Sequence, residues 1–214
     1  MGVATVHDGV TAVPVRRLPG LPHEPGRADP VELRRLLAAI HALDPAVFGG
    51  LLARPRAFYG GDRWYDVLTE DVVPRLPSSL RAPAQDAVDR LAAVGVPVRA
   101  VGHGDLAGAN VLWDGGRVVG VLDWDLASIE DPAEDVASLA GWHGWDLAPA
   151  LADPGTVSRA ALFHAVAPLT VVAFAVLHGR PEEEVGRAVS RATDRLPARL
   201  RSEVPDVPRP RRVR

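Results

Sequence analysis

One tract limits the fold of this chain more than any other. Asn110 to Trp113 and Val118 to Leu122 read as two strands, and Asp114-Gly115-Gly116 between them has the chemistry of a tight turn. A hairpin returns its outer ends to one place. Those ends carry Asn110 and Asp123, and the segment just before them carries His103 and Asp105. The whole stretch reads H-G-D-L-A-G-A-N-V-L-W-D-G-G-R-V-V-G-V-L-D. Its residue types suit the transfer of a phosphoryl group from a Mg-bound nucleotide to a hydroxyl. Magnesium is a hard ion that takes carboxylate and amide oxygens, which Asp123 and Asn110 supply, and Asp105 is suited to accept the hydroxyl proton.

Around the hairpin the chain reads as helical. Val10 to Leu18 has the β-branched character of one strand, broken by Pro19-Gly20 and by Pro22 to Pro25. Asp29-Pro30 is a helix start, with Asp29 as N-cap and Pro30 in the first turn. Leu33, Leu36, Leu37, Ile40 and Leu43 then recur at helical spacing. Further helices are predicted over 62–73, 83–94, 133–142, 157–178 and 181–200. Between them, Val98, Ala100 and Val101 lead into the His103 loop. Ala160 to Leu177 is the longest apolar stretch, and with His164 and Pro168 inside it reads as a buried core helix rather than a membrane span. Residues 205–214 read as a disordered Pro- and Arg-rich tail. No internal repeat is visible.

Composition excludes several classes. A chain of 214 residues that is 47% hydrophobic can bury one substantial core. A net charge of -3 gives no electrostatic case for nucleic acid or for an anionic membrane. With no cysteine there is no disulfide, thiolate zinc site or cysteine nucleophile. No secretory signal opens the sequence, so the cytoplasm is the expected compartment. Every cationic side chain is arginine, because the sequence contains no lysine.

The runs H-G-D-L-A-G-A-N-V-L-W, V-V-G-V-L-D-W-D and E-D-P-A-E-D-V-A-S-L-A occur in order with matching gaps, and together they resemble the aminoglycoside phosphotransferase family. Leu33 to Pro45 resembles the helix after that family's hinge, and the segments after Ala150 resemble its C-terminal helices. The resemblance implies a mainly α fold with a small β-hairpin, namely the C-terminal lobe of a protein-kinase-like α+β fold. It implies residues 1–20 as a remnant N-lobe strand and hinge-like segment, and residues 21–204 as the C-lobe. Position by position, it implies Asp105 as the catalytic aspartate and His103 as the histidine that braces its loop, with a catalytic general-base role for His103 as the alternative. Asn110 and Asp123 are implied to hold Mg and, through it, ATP or GTP. The triplet at the second metal position is Asp123-Trp124-Asp125. Between Leu106 and Asn110, where many members read H-P-G or G-G-E, this chain reads Ala107-Gly108-Ala109. The family's N-terminal lobe supplies a phosphate-covering loop and a lysine; the first twenty residues contain no Gly-rich loop and the sequence has no lysine.

Other polar residues have plainer readings. Asp131 before Pro132 reads as a helix cap, and Asp135 as a brace for the loop. Asp125 reads equally as a contact to metal-bound water or as a solvated loop position. Trp142 to Trp145 reads as core packing or as an aromatic pocket wall. Asp146 and Glu182 to Glu184 read as a solvated face, and Arg209 to Arg214 as a solvated tail. Two functions follow: a Mg- and nucleotide-dependent phosphotransferase acting on a hydroxyl of an antibiotic-like or sugar-like molecule, or a non-catalytic relic that binds a small molecule or a partner. The second reading expects an oligomer or partner over the apolar face that normally meets an N-lobe. A third expectation places the true start upstream of Met1. A metallohydrolase built on His103 and Asp105 lacks a second histidine motif.

Overall fold

Asp29 stops the chain from fraying at the start of its first helix. Its carboxylate accepts a hydrogen bond from the Val31 amide at 2.9 Å, and Pro30 fills the first turn where no donor is needed. Helix α1 spans Pro30–His41 and buries Leu33, Leu36, Leu37 and Ile40. Leu43, beyond the helix end, is only half-buried. The computed structural model describes residues 5–12, 16–48 and 50–201. The tail at 205–214 and its arginines lie outside them.

The expected single strand over 10–18 is not what forms. Strands β1 (Thr5–His7) and β2 (Val10–Ala12) make a separate antiparallel pair, turning at Asp8 and Gly9, both with positive φ. Residues 13–15 lie outside the described residues, and Arg16 to Leu18 are not in a strand. A further departure follows: β3, Leu21–Pro22, pairs with β5 although Pro22 reads as a breaker. Such pairing is set by the neighbouring strand, and a proline is tolerated at a sheet edge.

From Gly61 to Arg75 one tract changes pitch three times. A 3-10 turn at Gly61–Arg63 leads into α2 (Trp64–Asp66), a π turn at Val67–Val72 and a 3-10 turn at Val73–Arg75 that contains Pro74. The register still buries Val67, Leu68 and Val72 together. Helix α3, Ser78–Ala93, starts five residues before the predicted 83. Pro83 therefore lies inside it, where a proline removes one backbone hydrogen bond without ending the helix.

Strand β4 (Ala100–Gly102) pairs with β7 (Ser128–Glu130), and between them lie the loop and the predicted hairpin. The hairpin is β5 (Val111–Asp114) against β6 (Arg117–Val121), closed by Gly115 and Gly116 at φ 53° and 79°. Positive φ at both turn positions matches the right-handed twist of the strands, and glycine adopts it without strain. The remaining helices are α4 (Ala133–His143), α5 (Ala148–Leu151), α6 (Pro154–Leu177) and α7 (Glu182–Arg201).

Helix α6 begins at Pro154, earlier than predicted, because the Asp153 carboxylate caps Gly155 N and Thr156 N. It packs against α3, α4 and α7. Among the described residues α6 is the one helix long and apolar enough to cross a membrane, and 67% of its apolar window is buried within the protein.

Candidate active site

The chain leaves β4 at Gly102 and is held at once. The Asp135 carboxylate accepts from His103 N at 3.0 Å and from Gly104 N at 3.2 Å, and His41 Nε2 lies 3.1 Å from its second oxygen. Asp135 comes from the first turn of α4, and His41 is the last residue of α1, so two helices fix one loop. This is the bracing expected of Asp135. At Gly104, φ is 80° and an added Cβ would meet Leu126 O at 2.6 Å, so only glycine passes here without displacing the backbone.

His103 is fully buried and uses both ring nitrogens. Nε2 donates to Leu122 O at 2.8 Å, and Nδ1 accepts from Asp105 N at 3.2 Å. The ring meets Trp124 edge-on, with centroids 4.9 Å apart. With both nitrogens engaged, the ring joins the Asp105 backbone to the end of the hairpin and has no nitrogen left to receive a substrate proton.

Asp105 is half-buried. Asn110 Nδ2 donates to Asp105 O at 2.9 Å and to its carboxylate Oδ2 at 3.2 Å. Burial pushes the Asp105 carboxyl upward and nearby Asp123 adds to this, while His103 and the Asn110 amide pull it down. Leu122 N donates to Asn110 O at 2.8 Å. The hairpin thus brings Asn110 and Asp123 to its open end, beside Asp105. Asp123 is exposed and sits at φ 60°, a left-handed conformation uncommon outside glycine. Among the described residues no three His, Asp or Glu side chains gather as a metal group.

The acidic run Glu130 to Asp135 serves several ends. Glu130 is 3.5 Å from Arg56 Nε, and Asp131 pairs with Arg159 at 2.7 Å while capping Ala133 N at 3.0 Å. Asp131 is therefore a cap, as expected, and also half of a buried ion pair. The Glu134 carboxyl has no hydrogen-bonding partner among the described residues. Burial first, then the carboxylates of Asp135 and Glu130, push it up to about 8, against the pull of Arg56.

Asp105 and Glu134 line a cavity of about 380 Å³. Trp142 and Phe163 give it aromatic wall, whereas Trp145 stacks on His164 with centroids 4.5 Å apart. The two tryptophans of that tract thus split between pocket and packing. Asp125 and Asp146 are exposed and do not line the cavity, nor do Glu182 to Glu184, of which Glu182 and Glu183 pair with Arg75 and Arg187. Sequence reasoning missed Arg56, Glu134 and the α7 arginines at 191, 195 and 199, all on the cavity wall. For α7 a signal existed, the spacing of four between arginines, which places them on one helix face.

Known proteins resemble this chain in sequence and in fold. The chain is 33% identical over 135 residues to viomycin phosphotransferase of Streptomyces vinaceus, covering 57% of this chain and 47% of that one. It is 40% identical over 48 residues to hygromycin-B 4-O-kinase of Escherichia coli, covering 22% and 14%. It spans less than half the length of either curated relative. Among solved structures, the complex of APH(2")-IIia with GDP and kanamycin superposes with a TM-score of 0.69 at 18% identity, over 90% of this chain and 73% of that one. Macrolide 2'-phosphotransferase MphH of Brachybacterium faecium gives 0.62 at 23%, over 89% and 72%. These likenesses establish the kinase-like fold. The model of the Phosphotransferase enzyme family (APH) matches residues 2–169, most of the sequence and the whole of the loop and hairpin, and the chain belongs to that family.

Proposed function

We propose that this chain carries the acceptor- and metal-holding half of a nucleotide-dependent phosphotransferase acting on a hydroxyl of an antibiotic-like or sugar-like molecule. The observation that carries the reading is the convergence of Asp105, Asn110 and Asp123 at the open end of the hairpin. The lobe that performs this work is residues 21–204, and residues 1–20, which include the β1–β2 pair, are a hinge-like segment before it.

The donor set fits a hard cation. Asn110 commits its amide nitrogen to Asp105, which leaves its amide oxygen, and the exposed Asp123 carboxylate accepts no protein hydrogen bond among the described residues. Magnesium, when bound there, would neutralise charge on the phosphate oxygens. Asp105 orients the acceptor hydroxyl and takes its proton. The hydroxyl oxygen forms the new bond to phosphorus, and the bond to the leaving nucleoside diphosphate breaks with its electron pair. Burial of Asp105 suits this step, because an upward-shifted carboxylate is a stronger base. His103 positions Asp105 through its backbone amide rather than by moving a proton. Solved relatives hold GDP or AMP-PNP, which supports a nucleotide as phosphoryl donor.

The test incubates the purified chain with Mg-ATP or Mg-GTP and viomycin, hygromycin B, kanamycin or a macrolide, and reads phosphorylated product by mass spectrometry. Asp105→Asn is expected to lower turnover by about 10²–10⁴-fold. Undiminished turnover in that variant rejects the assignment. The lack of lysine in the sequence favours a second reading, in which the chain binds the acceptor without transferring phosphate. Saturable acceptor binding with no product from any nucleotide would select it.

A further inference from the structure

The cavity beside Asp105 has two unlike walls. The His103 loop and α4 contribute Asp105 and Glu134; α7 contributes Arg191, Arg195 and Arg199. Four-residue spacing puts the three guanidinium groups on one stripe of the helix. None of them has a carboxylate partner among the described residues, although Arg187 on the same helix is paired with Glu183. Like charges four residues apart on a helix disfavour one another, and no carboxylate lies within ion-pair distance of these three among the described residues.

Arg199 is the innermost of the three. It is half-buried and donates from Nη1 to His164 O at 3.1 Å, with His164 Nδ1 at 3.3 Å. Burial first, and then Arg195, pull its guanidinium below the usual range. The His164 ring beside it is held down to about 4, by burial and then by Arg199, and so adds no charge at neutral pH. Glu134 on α4 is pushed up to about 8, so near neutral pH it offers little negative charge to an ammonium group. The cavity therefore presents surplus positive charge over an apolar floor.

We infer that the acceptor bound in this cavity carries a carboxylate, gripped by Arg195 and Arg199, and presents its hydroxyl to Asp105. The planar fork of arginine matches a carboxylate in paired hydrogen bonds, and the same charges repel a polycation. This assignment deepens the proposed phosphotransfer and rests on it for the meaning of the hydroxyl, but its test reads binding alone.

Three para-nitrophenyl glycosides, of glucuronic acid, glucose and glucosamine, share the aromatic ring and sugar and differ in charge. Titrated calorimetrically into the full chain without nucleotide, the glucuronide is expected to bind about tenfold more tightly than the neutral glucoside, with the glucosaminide weakest. Arg195→Glu is expected to abolish or reverse that order. Because Arg195 is exposed, the helix tolerates the change; Arg191→Glu is the second variant should the first fail to fold. Equal affinities, tightest binding by the glucosaminide, no binding by the glucuronide, or an order unchanged in the folded variant would each overturn the inference. Charge-ordered binding without phosphotransfer would instead overturn the proposed function and leave the carboxylate site standing.

Discussion

In the loop from His103 to Asn110 the polar groups hold one another; along the α7 face of the same cavity they do not. His103 uses both ring nitrogens, Asp135 takes two backbone amides and a histidine, and Asn110 is tied to Asp105. Elsewhere around the cavity, the side chains of Arg191 and Arg195 on α7 and of Glu134 on α4 make no hydrogen bond or ion pair among the described residues. A satisfied buried network fixes position, because each group would be costly to leave unpaired. Unpaired charge around a cavity leaves interaction capacity for a ligand. The division suits a site that must place one oxygen accurately while accepting a molecule from solution.

The comparison can be broken at its strongest point first. Asp135→Ala should strip His103 N and Gly104 N of their acceptor and lower unfolding free energy by about 3 kcal/mol. Urea denaturation measures this; a loss below about 1 kcal/mol would mean the loop is held by other contacts. Gly104→Ala comes next. It forces a side chain into a left-handed conformation against Leu126 O, for a loss of about 2 kcal/mol, and shifts Asp105 along with it. A Tm equal to the parent's would show that the backbone there yields freely.

The smallest effect has the opposite sign and belongs to a side chain without a hydrogen bond. Glu134 ionises near its ordinary 4.5 when unfolded but at about 8 in the folded chain. Below the first value both states hold the proton and burial carries no penalty. Between the two values the unfolded state ionises alone, so stability falls as pH rises. Glu134→Gln removes that dependence. It should stabilise the chain by about 1 kcal/mol above pH 8, after allowance for solvent in the cavity, and by almost nothing at pH 4. Thermal melts across that range check it, and a gain that does not grow with pH would place Glu134 in an ion pair.

What could be read from the sequence follows the same division. Asp29-Pro30 and Gly115-Gly116 act through their own few neighbours, so cap and turn were legible, and with them the meeting of Asn110 and Asp123. Leu21–Pro22 forms a strand only because β5 lies alongside, and the π turn at Val67–Val72 keeps Val67, Leu68 and Val72 buried together; neither has a local signature. Glu32 reads as an ordinary acid in the first turn of a helix. In the fold its carboxylate is buried, bonded to Arg35 and to the Val118 amide, and held down to about 2. The loop residues were found because their chemistry is concentrated in one tract. Arg56, Glu134 and the α7 arginines were not, because three distant segments bring them to one cavity.

Asp123 shows where folding and chemistry ask for different residues. At φ 60° a glycine would sit with less strain and asparagine is better tolerated than most side chains. A lineage released from the need for a carboxylate beside Asp105 would be expected to drift toward glycine or asparagine at position 123. The identity of that one residue in descendants of this chain is thus a record of whether the site is still in use.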